Sequence, residues 1–340
     1  MPEENPRDMK DVVETAGTVT AEPLPQLERY WAVAGSPLEW DCLFMLPPWL
    51  GVWWSRLGHG SETHLYVVRS HDMLLGAAPL TVRGDTAQLI GDSDLIDYSD
   101  FIIVPVRKVD FFSILFDDLR RRGIGRLDMG RIRSDSPVVS FLRYSSALLD
   151  CTVSCEATDL LYEMDLPETW EGYLALLSGR ERHETRRKLA RLDSAGGVGL
   201  HVIEGKEDVS NAMDTFMTLF RANRSEKVKF MSAAVESFFR ALAEAMAGAG
   251  LLKLFSMDVN DTPAAMSMCF DYNSTVYLYN SGYDQNFSHL SVGLLSMVFS
   301  IRESIKRGRK RYNFLRGNEP YKKRLGGNPI ALYHCEVILK

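Results

Sequence analysis

Apolar residues recur at helical spacing in seven segments of the chain. In the longest segment, residues 169–197, the residues Trp170, Tyr173, Leu174 and Leu177 follow the i, i+3, i+4, i+7 pattern of one helix face. Two glycines at 196–197 are typical of a helix end, so the pattern predicts one long helix there. The other predicted helices span 37–44, 47–58, 110–123, 209–224, 233–250 and 290–308.

Strand patterns lie between these helices. Residues 251–284 read as three successive strands with turns at Asn260-Asp261 and Tyr272-Asn273. Further strands are predicted at 63–70, 73–83, 101–106, 126–132, 160–166, 198–204 and 311–317. Each half of the chain therefore contains a helix, hairpin strands, a second helix and another strand. We predict an α/β (α+β) fold of two related lobes, at 23–155 and 156–340, after a disordered tail at 1–22.

Composition and charge narrow the classes of function that the protein can have. The 340 residues are 46% hydrophobic and 25% charged, as in globular proteins, and the net charge of -6 argues against DNA binding. Five cysteines, without a CxxC pair, indicate free thiols in a reducing compartment. The N-terminal stretch has no apolar signal region, and no segment reaches the roughly 18 apolar residues of a membrane span. We expect a cytoplasmic protein without a metal site.

The segment YNFLRGNEPYKKRLGG, residues 312–327, concentrates cations near the end of an acidic chain. It follows a predicted helix that begins near Ser291 and Gly293, and free N–H groups at a helix start attract anions. Together with Arg316 and Lys322, this helix start would suit a polyphosphate donor such as a coenzyme A thioester. Simple helix capping and a solvated charge run are the alternative interpretations.

Other polar clusters offer further chemistry. The long predicted helix carries a basic group that either binds a polyanion or forms i+4 ion pairs such as Arg180 with Glu184. The segment DSDLIDYSDF, residues 92–101, gathers four carboxylates before a predicted strand. The candidate general bases are His183, His289, Asp97, Asp100, Asp284 and Glu319. Motifs of hydrolases, zinc proteases and P-loop NTPases are absent from the sequence.

Three segments together, at 176–198, 261–295 and 312–327, resemble the CelD-like acetyltransferases of bacterial polysaccharide biosynthesis. That family belongs to the GNAT superfamily and is akin to the FemAB aminoacyl ligases. N-terminal segments such as LLGAAPLTVR and IGDSDLIDYSDF agree, so the resemblance spans about residues 37–327. Two features depart from the family pattern: Asn313 stands where an aspartate is common, and the phosphate signature is degenerate in HLSVGLL.

The resemblance implies two tandem GNAT-like lobes and transfer of an acyl group, from acetyl-CoA or another acyl-CoA, to an amine or hydroxyl of a sugar or polysaccharide precursor. It also implies peripheral association with membrane-bound polysaccharide machinery. In this interpretation Lys322 or Arg316 stabilises developing negative charge. The predicted catalytic residues are Lys322, Arg316, Tyr321 and Asp100. The predicted donor-binding residues are Ser291, Val292, Gly293, Leu294, Arg187 and Gly317.

Two alternatives stay open. One is a non-catalytic scaffold or binding protein of a polysaccharide assembly complex, which the missing aspartate at Asn313 favours. The other is a FemAB-like ligase that uses charged tRNA as the donor. That version predicts a basic stripe from the long helix to Lys322 and binding that weakens steeply with salt.

Overall fold

The computed structural model describes residues 17–33, 35–58, 62–90, 94–223 and 232–340. Its strands form one twisted sheet of mixed direction. The strands are β1 Gly17–Pro23, β2 Thr63–Ser70, β3 Met73–Arg83, β4 Thr86–Leu89, β5 Ile102–Ile103, β6 Arg126–Arg133, β7 Cys151–Asp165, β8 Val198–Ile203, β9 Leu252–Val259, β10 Thr262–Tyr272, β11 Thr275–Tyr283, β12 Arg311–Arg316 and β13 Asn328–Leu339.

Helices flank this sheet. They are α1 Leu27–Trp31, α2 Pro47–Leu57, α3 Lys108–Arg121, α4 Pro137–Ser145, α5 Trp170–Leu176, α6 Gly179–Ala195, α7 Lys206–Asn223, α8 Ala233–Gly248, α9 Val292–Lys306 and α10 Pro320–Arg324. Short 3-10 turns occur at Leu24–Gln26, Leu43–Met45, Pro105–Arg107 and Gln285–Leu290. No helix of the described part of the chain is long and apolar enough to cross a membrane.

The sheet order is β1-β2-β3-β4-β6-β13-β7-β12-β11-β10-β9-β8, and β5 pairs with β3. Each half of the chain makes an antiparallel meander and then crosses through a helix to a parallel strand: β2-β3-β4-α3-β6 in one half, β9-β10-β11-α9-β12 in the other. A parallel neighbour needs such a crossover because a tight turn can only reverse the chain. The predicted mixed, mostly antiparallel sheet with flanking helices is confirmed.

The two halves exchange their last strands. β7, which ends the first half, pairs with β12 of the second, whereas β13 pairs with β6 of the first. β7 and β13 also pair with each other along Cys151–Glu163 and Asn328–Leu339. The predicted lobe boundary after residue 155 therefore falls inside a strand that both lobes share. Because backbone hydrogen bonds join all four strands, the halves form one continuous sheet.

Cysteine pairing differs from the expectation of free thiols. Cys155 and Cys335 lie opposite each other in the β7–β13 pair and form a disulfide, with their Cα atoms 4.2 Å apart. The other cysteines, Cys42, Cys151 and Cys269, are free and buried. The disulfide thus joins the two exchanged strands covalently.

The core has a shared centre at the seam between the halves. The Trp49 ring is fully buried and makes edge-to-face contacts with Phe44, Phe270 and Tyr279. Such contacts add to the stabilisation from burying a large aromatic ring. Because Trp49 comes from α2, whereas Phe270 and Tyr279 come from β10 and β11, the N-terminal helices are anchored on the second half of the sheet.

Several predicted elements differ in the structure. The predicted helix at 169–197 is two helices, because Leu177 is extended and the Ser178 side chain caps α6 by accepting from the Glu181 N–H at 3.2 Å. Ser178 and Glu181 have the S-x-x-E spacing of a capping box, a signal that the periodicity masked. The predicted helix at 37–44 is limited to a 3-10 turn at Leu43–Met45.

Two strand predictions also change. Residues 17–22, assigned to the disordered tail, form most of β1 along the edge of β2, and residues 1–16 lie outside the described part. The strand predicted at 101–106 is only Ile102–Ile103, because a 3-10 turn starts at Pro105, which has no N–H to donate to a sheet.

Candidate active site

A cavity of about 800 Å³ opens in the second half, where the parallel strands β11 and β12 diverge. The two strands pair only at Thr275–Tyr277 with Arg311–Asn313. Beyond these residues β11 stays with β10 and β12 stays with β7, so a wedge forms between them. Side chains of β11, the first turn of α9, the end of β12 and α10 line this wedge, which we call the C-wedge.

The start of α9 lies at the C-wedge as the sequence predicted. Ser291, Val292, Gly293 and Leu294 all line the cavity. Ser291 has left-handed backbone angles (φ 60°, ψ 32°), and its carbonyl accepts from the N–H groups of the next turn. The first N–H groups of a helix have no acceptor within the helix, and the helix dipole adds positive potential, so this corner of the cavity favours an anion.

Gly293 has a second reason to be glycine. A Cβ atom there would lie 2.6 Å from Cδ1 of the Tyr283 ring, which itself lines the cavity. The absence of a side chain therefore lets Tyr283 pack against α9, whether or not a ligand approaches the backbone.

Lys322 lies in the cavity wall, but its ammonium is already engaged. The side chain is 2% exposed, and Nζ donates to the carbonyls of Leu315, at 3.0 Å, and Arg316. The same nitrogen lies 3.0 Å from Oε2 of Glu319. Burial lowers the pKa of Lys322, and Glu319 opposes that shift. Because Nζ donates to two backbone carbonyls and forms an ion pair with Glu319, Lys322 fixes the turn after β12 and is held by internal contacts.

Arg316 is likewise surrounded by carboxylates. Its guanidinium lies 3.5 Å from Asp94, 3.6 Å from Asp97 and 3.4 Å from Asp159, and its backbone N–H donates to Asp97 Oδ2 at 2.9 Å. With Glu319 included, four carboxylates face two cations at this end of the C-wedge. Arg316 and Lys322, which the sequence predicts as an anion site, thus lie among carboxylates that compete with an anion for their charge.

Asp97 is the buried carboxyl of the cavity wall. It comes from the first half of the chain, on residues 94–100, which reach across the seam; the Tyr279 hydroxyl donates to the Leu95 carbonyl at 3.0 Å. Burial raises the pKa of Asp97, although the Arg316 N–H and charge oppose the shift. A carboxyl with a raised pKa accepts a proton more readily near neutral pH.

Asp100 lies elsewhere, in a smaller cavity of about 230 Å³ at the seam. Its carboxylate accepts from the Ser136 hydroxyl and the Phe101 N–H, both at 2.8 Å, and burial raises its pKa to about 6. These bonds hold Asp100 at the start of α4. The structure therefore does not bring Asp100 to the C-wedge, and of the four carboxylates predicted as a group, Asp94 and Asp97 line it, whereas Asp92 lies outside the described residues.

Two other predicted residues are not in the cavity lining. Arg187 is half exposed on the outer side of α6, where it pairs with Glu184 at 2.8 Å. Gly317 forms the turn after β12 with φ 114°, and its N–H donates to Leu160 O at 2.9 Å. Tyr321, in contrast, lines the C-wedge. No group of three or more His, Cys, Asp or Glu in the described residues is arranged to hold a metal ion.

The sequence did not single out the apolar side of the cavity. Phe220 of α7, Phe239 of α8 and Met297 of α9 line it, together with Asn280 and Ser281 of β11. The phenylalanines follow the helical pattern of core residues, so periodicity alone could not separate a cavity wall from a core. Asn280 and Ser281, polar residues in an apolar strand, were the available signal.

Residues 179–323 match the family model described as an acetyltransferase (GNAT) domain. None of the curated proteins matches the chain. Among solved structures, FemX is 12% identical with a TM-score of 0.64, over 95% of this chain and 97% of that one. A conserved protein of unknown function from Bacteroides thetaiotaomicron is 13% identical with a TM-score of 0.61, over 95% and 100%.

A third solved structure covers less of the chain. The C-terminal domain of a putative lysylphosphatidylglycerol synthetase from Agrobacterium fabrum is 11% identical with a TM-score of 0.54, over 78% of this chain and 81% of that one. At these identities the likeness shows the fold. The family match places an acetyltransferase domain on the segment that builds most of the C-wedge, and it supports acyl transfer as the chemistry.

Proposed function

We propose that this protein is an acyltransferase that moves an acyl group from an acyl-CoA thioester to an amine of a sugar or polysaccharide precursor in envelope or exopolysaccharide biosynthesis. The observation that carries the proposal is the C-wedge: an open cavity between two diverging parallel strands, with a helix start at one corner and a carboxylate cluster at the other. The CelD-like character and the sugar acceptor come from the sequence resemblance.

The donor fits the side of the C-wedge formed by β11 and α9. After Tyr277, β11 and β12 no longer pair, and an extended pantetheine arm would lie along β11 in the space between the two strands. The N–H groups of Val292 and Gly293, at the start of α9, would then face the diphosphate. Since Lys322 and Arg316 already have internal partners, backbone N–H groups would stabilise the thioester oxygen.

The acceptor fits the acidic end. Asp94, Asp97 and Glu319 favour a protonated amine over a neutral hydroxyl, because a cation offsets their charge. Asp97 takes a proton from the ammonium, and the neutral nitrogen attacks the thioester carbonyl. The C–N bond forms as the C–S bond breaks, and the second nitrogen proton leaves with the coenzyme A thiol. This order accounts for a buried carboxylate with a raised pKa in the cavity wall.

The test combines donor binding and turnover. Calorimetric titration with acetyl-CoA and longer acyl-CoAs should give saturable binding, and thiol release should be faster with glucosamine than with glucose as acceptor. Asp97→Asn should lower kcat about 10²-fold while donor binding stays unchanged. The matched control is Asp284→Asn, which alters a carboxylate that caps the 3-10 turn before α9. Failure of every acyl-CoA to bind would end the proposal.

One observation favours the scaffold alternative. Both cations of the basic loop that point toward the C-wedge, Arg316 and Lys322, are held by internal contacts. A binding protein would bind an acyl-CoA or a sugar in the same titrations and release no thiol with any acceptor.

A further inference from the structure

The outer side of α6 carries a cationic surface that the proposed reaction does not use. Thr185 and Leu192 face the core, and at 100° per residue the opposite side presents Arg180, Arg187 and Arg191. Arg186 lies at the border of that side and is also exposed. We call these four arginines the cationic face. Over the twelve residues from Arg180 to Arg191 it extends roughly 17 Å.

The cations of α6 exceed its carboxylates. The helix holds six cations (Arg180, Arg182, Arg186, Arg187, Lys188 and Arg191) and three carboxylates (Glu181, Glu184 and Asp193), a net charge of +3 in a chain of net charge -6. Glu184 pairs with Arg187 and Lys188, and not with Arg180 as the solvated-helix interpretation expected. Among the described residues, the side chains of Arg180 and Arg186 have no hydrogen-bond or ion-pair partner.

An exposed apolar residue lies four positions before Arg180 in the chain. Leu176, at the end of α5, is 61% exposed and lies just before the turn that starts α6. Basic residues next to an exposed apolar residue suit an interface of anionic headgroups, where each Lys or Arg contributes about 1 kcal/mol. A bilayer meets one side of a protein, so the acidic remainder of this chain does not oppose the contact. An RNA that wraps the surface would meet that acidic remainder.

The cationic face lies next to the opening of the C-wedge. The Arg191 guanidinium donates to the His289 carbonyl at 3.1 Å, and the neighbouring Ser288 lines the cavity. We propose that the cationic face docks this protein on an anionic membrane surface, with the C-wedge opening toward the headgroup layer. That the acceptor would be presented from the membrane rests on the proposed function; the docking itself does not.

The experiment is flotation of the full chain with vesicles of phosphatidylcholine alone and with an equal mixture of phosphatidylcholine and phosphatidylglycerol. We expect binding to the anionic vesicles only, and weakening as salt is raised. The double variant Arg180→Glu, Arg186→Glu should lower vesicle affinity about 100-fold. The matched control reverses two exposed arginines of the first half, Arg56→Glu and Arg83→Glu, and should bind as the parent does.

Each outcome decides the proposal. Binding of the double variant equal to that of its control, or no binding of the parent to anionic vesicles, would overturn it. Binding to an RNA long enough to span the cationic face, without binding to vesicles, would also overturn the proposal. Acyl-CoA titration and thermal unfolding of the same samples separate the two proposals, because a folded protein that binds the donor but not vesicles loses only the docking surface.

Discussion

Each half of the sheet contains a wedge beyond a short parallel strand pair, and the two wedges are used in opposite ways. In the first half, β4 and β6 pair at Thr86–Gln88 with Arg126–Asp128, just as β11 and β12 do in the second. The chain then leaves β4 and returns as β5 on the same edge of β3. Of this excursion, residues 94–101 belong to the described part of the chain, and the segment around Ser99 lies along β6, where the Ser99 N–H donates to Arg131 O at 2.8 Å.

The excursion fills the first wedge and forms part of the wall of the second. Ile96, Tyr98 and Ser99 are almost fully buried, so the first wedge is occupied by the chain itself. Asp94 and Asp97 of the same segment line the C-wedge. In the second half, β11 runs unbroken past one bulge near Tyr279 and leaves its wedge open. A repeated fold unit can thus supply a binding cavity in one copy and a wall of that cavity in the other.

Both halves also contain the same bulge after the parallel pair. In the first half Asp128 Oδ1 accepts from the Gly130 N–H, and in the second Asn313 Oδ1 accepts from the Leu315 N–H, each at 2.8 Å. Gly130 and Leu315 both have φ 60°. Asn313 is therefore a fully buried structural residue, which explains why it need not be a catalytic aspartate.

The largest expected effect comes from filling the C-wedge. Asn280→Trp should place an indole in the cavity and lower acyl-CoA affinity at least about 100-fold, with loss of thiol release, because the donor and the ring compete for one volume. Gln88→Trp, on the paired part of β4, is the control and should bind the donor normally. An equal loss of acyl-CoA affinity in both variants would show that the donor does not bind specifically in the C-wedge.

The next effect is on stability, through the ammonium that holds the C-wedge wall. Lys322→Met should lower the free energy of unfolding by about 3 kcal/mol, because the Leu315 and Arg316 carbonyls and Glu319 lose a buried partner. Lys323→Met, one residue on and exposed, should stay within about 0.5 kcal/mol. Denaturant unfolding of both proteins measures this; similar values would mean that Lys322 is free to act on a ligand.

Substituting the two bulge residues should change the free energy of unfolding by different amounts in the two halves. Asn313→Asp replaces the Nδ2 donor that lies 2.7 Å from Glu163 Oε2 with a second carboxylate, and should cost about 2–3 kcal/mol. Asp128→Asn keeps the acceptor for the Gly130 N–H and changes only a half-exposed contact with His334 Nε2 at 3.3 Å, so it should cost under about 1 kcal/mol. Comparable unfolding free energies would contradict the buried role of Asn313.

The smallest expected effect is a pH dependence at the end of the excursion. Burial raises the pKa of Asp100 from 3.8 to about 6, so the folded state binds more protons than the unfolded state between these values. Stability should therefore fall as pH rises through this window. Asp100→Asn should remove that fall and be more stable than the parent above pH 6 by about 1–2 kcal/mol. If the free energy of unfolding depends on pH in the same way in both proteins, the pKa of Asp100 is not raised by burial.

Local pattern was enough to predict the mixed fold and half of the candidate site. Helical periodicity gave α3 and α9 near their observed bounds, and strand patterns gave the meander of β9, β10 and β11. The Ser291 turn and the segment after β12 do meet at one cavity, as expected from a helix start followed by a parallel strand. These features depend on residues close in sequence, so the sequence by itself determined them.

The tertiary structure decided the features that depend on distant residues. Which strands exchange between halves and which wedge the excursion fills rest on backbone groups far apart in the chain. The carbonyl partners of Lys322 lie six and seven residues before it, but their burial with the ammonium depends on the packed fold. A lysine in a basic loop has the same sequence signal whether it faces solvent or three buried oxygens. Only the packing fixes its partners, because a buried ammonium without partners would cost free energy.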